Sequence, residues 1–71
     1  MNQIGIRARQ RRQELGITQR ELAEAVGVTK NFITIFEAGY KNPSVYTLNQ
    51  IASELGVTLD YLVNGNEKKT N

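Results

Sequence analysis

Residues 18–39 read TQRELAEAVGVTKNFITIFEAG, and the punctuation of this stretch decides the fold. One short pattern enters it twice, as GITQREL (16–22) and GVTKNFI (27–33), and returns as GVTLDYL at 56–62. Each copy sets a glycine, a β-branched residue and a threonine ahead of three residues and a Leu or Ile. A threonine N-cap accepts a bond from a free backbone N–H, and the apolar residue before it packs on the fourth helical residue as a staple. The pattern predicts caps at Thr18, Thr29 and Thr58 and staples pairing Ile17 with Leu22, Val28 with Ile33 and Val57 with Leu62. Glu21 completes a capping box with Thr18; Phe32 and Tyr61 stand at that position in the other copies.

Thr18 and Thr29 are only eleven positions apart, room for a short helix and a tight turn at Gly27. Such a turn makes two helices cross steeply, as in a helix-turn-helix. Leu22, Ala23 and Val26 form the inner face of the first, and Ala23 is small enough for close approach. Ile33 and Phe36 form the inner face of the second. At about 100° per residue, Asn31, Thr34, Ile35 and Ala38 then point away from the core, Phe32 lies on the flank and Lys30 stands at the leading tip.

Beyond this pair the same signals predict an all-α chain of five short helices, near 2–15, 18–26, 29–38, 44–55 and 58–64. Gly16, Gly27, Gly39, Gly56 and Gly65 each follow a helical stretch, and Pro43 sits in the polar connection GYKNPS. Residues 1–65 are expected to form one domain, and 66–71 a polar, disordered tail.

Seventy-one residues make one small domain, burying only about 60% of its unfolded surface. With no cysteine and no histidine, no disulfide framework, Cys/His zinc site or ordinary nucleophile–base pair is available. No metal or cofactor is expected. The carboxylates Glu14, Glu21, Glu24, Glu37, Glu54, Asp60 and Glu67 are dispersed, which argues against an enzyme. No apolar run reaches membrane-span or signal-peptide length, so a cytoplasmic protein without membrane association is expected. Net charge is +2, yet Arg7, Arg9, Arg11 and Arg12 crowd the first twelve residues without an acid. That cluster suits a polyanion or an acidic partner surface on one reading and a solvated basic face equally on the other.

The outward mixture on the second motif helix has a chemical use. An Asn can bridge adenine N6 and N7, Lys can reach guanine O6 or N7, and apolar groups can pack on a thymine methyl. Ile35 and Phe32 are the candidate methyl readers; Phe32, on the flank, serves equally to cover a neighbouring helix or a second subunit.

TQRELAEAVGVTKNFITIFEAG followed by NPSVYTLNQIASELGVTLDYLVNG resembles the lambda-repressor and Cro-like helix-turn-helix family, five-helix DNA-binding domains of bacterial and phage regulators. The resemblance runs from about Ile4 to Gly65. It rests on the Thr-Gln opening, Leu-Ala, the turn glycine, Ile33, the aromatic-Glu-x-Gly ending, Pro43-Ser44 and the Leu48, Ile51, Ala52, Leu55 stripe. It implies that the helix from Lys30 is a recognition helix whose Lys30, Asn31, Thr34 and Ile35 face base edges, with Phe32 beside them. It implies phosphate contacts by Gln19 and by Lys41, Asn42 and the Ser44 hydroxyl or nearby backbone N–H groups. Arg9 and Arg20 are weaker candidates at the same edge. Arg12 and Glu37 match a structural ion pair. The chain departs from the pattern at Ala8, where a large apolar residue is usual; helix 1 is then either loosely packed or covered by another side chain. Phe32 and Ile35 also stand where small or polar residues are common.

The reading is a sequence-specific, double-stranded-DNA-binding transcriptional regulator, a repressor, acting as a weak homodimer on a palindromic operator. Leu59 and Val63, apolar and without an assigned partner, are the expected dimer surface. The alternative is a protein-interaction module of the same fold, such as an antitoxin or coactivator component.

Overall fold

The computed structural model describes residues 3–66. Its helices are α1 (Gln3–Leu15), α2 (Gln19–Val26), α3 (Lys30–Glu37), α4 (Val45–Leu55) and α5 (Leu59–Asn64). The all-α, five-helix expectation holds. The predicted bounds differ by single residues at most starts because Thr18, Thr29, Ser44 and Thr58 are caps rather than helical residues. Residue 2, the expected start of the first helix, and residues 67–71 of the expected tail lie outside the described residues.

Each helix after the first begins on a side-chain cap, a device worth about 1 kcal/mol. The Thr18 hydroxyl accepts from the Glu21 N–H at 3.0 Å while the Glu21 carboxylate accepts from the Thr18 N–H at 2.8 Å, the predicted capping box. Thr29 accepts from the Phe32 N–H at 3.0 Å, Ser44 from Thr47 at 3.1 Å and Thr58 from Tyr61 at 2.8 Å. Between α2 and α3 the chain turns at Gly27, whose φ of 86° lies in the left-handed region, where a Cβ costs roughly 1–2 kcal/mol. Its N–H and that of Val28 both donate to the Ala23 carbonyl, closing α2.

The core is one cluster: Ala8, Leu22, Ala23, Ile33, Phe36, Leu48, Ile51, Ala52, Leu55, Val57 and Leu62. It contains one partner of every predicted staple, or both, with Ile17 and Val28 packed against its edge. α2 packs on α3 and α4, α1 lies across α3, α4 and α5, and α5 closes onto α4.

Ala8 is fully buried, which overturns the option of a loosely packed first helix. α1 presents Gly5, Ala8 and Arg12 inward, and the two small residues let it come close. A Cβ on Gly5 would lie 3.1 Å from Glu37 Cα and 3.2 Å from its carbonyl oxygen, and nearer still to the Phe36 carbonyl. The end of α3 therefore rests on the backbone of α1.

Two of the N-terminal arginines, Arg7 and Arg11, have a use that neither a polyanion nor a solvated face describes. Arg7 donates to the Leu62 carbonyl at 2.9 Å and Arg11 Nε to the Leu55 carbonyl at 2.8 Å. Both carbonyls belong to last helical turns, which have no intrahelical donors and carry partial negative charge. Arg11 also pairs with Glu14 at 3.2 Å. On α5 itself, donors from Asn64 and, secondarily, Asn66 hold the Asp60 carboxyl below its ordinary pKa. Among the described residues no helix is long and apolar enough to cross a membrane.

Candidate nucleic-acid interface

The outer face of α3 carries Lys30, Asn31, Thr34 and Ile35, all exposed, while Ile33 and Phe36 are buried. The predicted division of this helix is the observed one. Ile35 offers an apolar surface 36% exposed beside two polar neighbours. Phe32 is different: it is half-buried against the core, and the Lys41 ammonium sits 5.2 Å from its ring centroid. Of its two predicted uses, the cover is the one the packing displays. The ring also steadies the Lys41 cation, a contact of about 0.5–1 kcal/mol at an exposed site.

Beneath this face lies a continuous set of polar contacts. Arg12 Nε and Nη2 donate to the two Glu37 carboxylate oxygens at 2.7 and 3.0 Å, and its Nη1 donates to the Ile17 carbonyl at 2.9 Å. The Gln19 side-chain nitrogen donates to Glu37 Oε1 at 3.0 Å. The Thr34 hydroxyl lies 2.9 Å from Gln19 Oε1 and 3.1 Å from the Lys30 carbonyl. The ion pair predicted to join helix 1 to the end of α3 is present, bidentate and buried. Gln19, placed by the sequence among phosphate contacts, also links α2 to α3, a role its position alone does not announce.

The remaining expected phosphate contacts lie on the connection between α3 and α4. Lys41 and Asn42 are exposed. The Ser44 hydroxyl is engaged: it accepts from the Thr47 N–H and donates to Thr47 Oγ1 at 3.1 Å. Of the two donors expected there, this leaves the backbone N–H groups opening α4, which lack intrahelical partners and sit at the positive end of a helix dipole. Gln19 and Arg20 open α2 in the same way.

A shallow cleft beside the start of α2 is lined by Arg9, Arg12, Gln19, Thr34, Glu37 and Ala38. Arg9 is exposed and, unlike those of Arg7, Arg11 and Arg12, its side chain makes no hydrogen bond or ion pair among the described residues. It is the one of the four N-terminal arginines that the sequence named, as a weaker candidate, at this edge. Tyr40 and Tyr46 are more than 70% exposed on either side of Pro43, and received no role from the sequence although tyrosine hydroxyls are common phosphate donors. On α5, Val63 is exposed, but Leu59 is half-buried against the core. Leu59 is not partnerless, because the short α5 turns it toward the cluster.

Two short helices joined at a left-handed glycine, the second baring a mixed polar and apolar face, define a helix-turn-helix protein. Residues 9–62 match the helix-turn-helix family model, and the chain belongs to that family. It is 50% identical over 48 residues to an uncharacterized HTH-type transcriptional regulator of Methanothermobacter thermautotrophicus, covering 68% of this chain and 70% of that one. To the HTH-type transcriptional regulator ImmR of Bacillus subtilis it is 33% identical over 64 residues, 90% of this chain but 50% of the relative. Among solved structures, the P22 c2 repressor in complex with a synthetic operator superposes with a TM-score of 0.87 at 32% identity, over 93% of this chain and all of that one.

Proposed function

We propose that the chain is a sequence-specific DNA-binding unit of a transcriptional repressor, working in the cytoplasm on a palindromic operator with α3 in the major groove. The observation that carries this reading is the outer face of α3. Lys30, Asn31, Thr34 and Ile35 stand exposed on one helix whose other face is fully buried, and together they supply a cation, an amide, a hydroxyl and a methyl-bearing group for base edges. The unpaired N–H groups opening α2 and α4, with Gln19, Lys41 and Asn42, flank that face as phosphate contacts. The resemblance to a repressor solved on its operator supports the same docking.

Selection of bound duplexes from a random DNA pool tests it. Binding is expected to fall steeply with salt, because neutralised phosphates release counterions. Asn31→Ala should lose ~1–3 kcal/mol on the selected site and relax preference at one base pair, whereas Lys41→Ala should weaken all sequences alike and flatten the salt slope by about one. Identical behaviour of both variants on every sequence removes Asn31 from base reading. The absence of any salt-dependent DNA binding rejects the proposal and returns the fold to a protein-interaction role.

A further inference from the structure

A chain of hydrogen bonds runs from the buried ion pair to the surface of α3, and its direction is fixed. Arg12 has only donors, and the ionised Glu37 has only acceptors. The Gln19 group 3.0 Å from Glu37 Oε1 is therefore its NH2, and the amide carbonyl is left facing Thr34 at 2.9 Å. That carbonyl only accepts. The other neighbour of the Thr34 hydroxyl, the Lys30 backbone carbonyl at 3.1 Å, also only accepts. A hydroxyl has a single proton. Since both acceptors are internal, the exposed side of Thr34 Oγ1 presents lone pairs alone.

We propose that Thr34 is a specificity-determining residue that reads DNA strictly as a hydrogen-bond acceptor. In the major groove it selects a base bearing an exocyclic amine, adenine through N6 or cytosine through N4. It discriminates against guanine and thymine, whose O6 and O4 are acceptors themselves. The inference rests on α3 being the recognition helix. A threonine with a free rotor contacts either kind of base; here its neighbours remove that freedom. The same polarity leaves the second Gln19 N–H without an internal partner, so Gln19 keeps a donor for a phosphate oxygen while Thr34, facing only acceptors there, is unsuited to one.

The test uses the selected duplex with one exocyclic amine removed at a time, purine replacing adenine or 2-pyrimidinone replacing cytosine. Each duplex is titrated with wild type, Thr34→Ser, which keeps the hydroxyl, and Thr34→Val, which keeps the shape without it. Thr34→Ala is a second hydroxyl-free variant, and melting curves establish that all are folded. At one position per half-site, amine removal should weaken wild type and Thr34→Ser by about 5- to 20-fold and leave Thr34→Val and Thr34→Ala unchanged. A selected site at which no amine shows this coupling overturns the inference and leaves the recognition-helix reading standing. So does coupling to a guanine O6 or thymine O4 instead. If no site is selected at all, the recognition-helix reading fails and this inference fails with it.

Discussion

Arg12 and Glu37 hold the recognition helix in place with side chains only 11% and 2% exposed. At such burial the desolvation of each ion is repaid only while the other is present. Every Glu37 acceptor contact points at a donor, Arg12 twice and Gln19 once. Glu37→Gln would set an NH2 against one of these donors and leave Arg12 charged and unpaired. The expected cost is ~3–5 kcal/mol, read as a lowered urea midpoint with an unchanged slope. A loss below about 1 kcal/mol would instead be that of an exposed surface pair, and would show that the ions keep their water. The variant also removes the group that orients Gln19, so its effect on DNA has to be judged at temperatures where it is folded.

Helix α1 works as a clamp on the ends of its neighbours. Arg7 reaches the last turn of α5, Arg11 the last residue of α4 and Arg12 the last residue of α3. Gly5 allows the close approach that this needs. Replacing Gly5 by Ala sets two effects against each other. Alanine gains at most ~1 kcal/mol of helix propensity, while its Cβ would meet backbone atoms of Phe36 and Glu37 that cannot swing aside. Overpacking of this kind costs ~1–3 kcal/mol, so Gly5→Ala should lower the urea midpoint; a more stable variant would mean that α1 shifts away without penalty. Of the clamp only the Arg12–Glu37 pair was legible in the sequence, through the family resemblance; the Arg7 and Arg11 contacts and the Gly5 contact were not. The capping box at Thr18, the caps at Thr29 and Thr58 and the buried pair Ile33 and Phe36 were, because each depends on residues within one or two turns. Arg7 and Leu62 are 55 residues apart, and what brings them together is the packing of α1 on α5. For the candidate site the same division holds. Periodicity alone sorted the faces of α3, but it left the role of Phe32 open, and the second use of Gln19 depends on how α2 crosses α3.

At the scale of the whole molecule, one recognition helix touches only a few base pairs, too few to single out a site in a genome. Domains with this geometry bind in symmetric pairs to half-sites one helical turn, about 34–36 Å, apart. Among the candidate dimer residues, Val63 is 42% exposed and shares a shallow depression with Leu59, Asp60 and Asn64 on α5. A patch this small suits a weak contact made on DNA better than an obligate interface. The half-burial of Leu59 separates the two substitutions that probe it. Leu59→Glu should lower the melting temperature as well as weaken assembly, so its binding defect is ambiguous. Val63→Glu places a charge on the exposed side alone. It should keep the wild-type melting temperature and affinity for a single half-site, and lose cooperativity on the two-half-site duplex by roughly 5- to 30-fold. Titrations of both duplexes with both variants, alongside sedimentation of the free proteins, decide the matter. If Val63→Glu binds the paired sites as tightly and as cooperatively as wild type, the dimer surface does not include Val63, and the contact between protomers has to be sought elsewhere on the molecule.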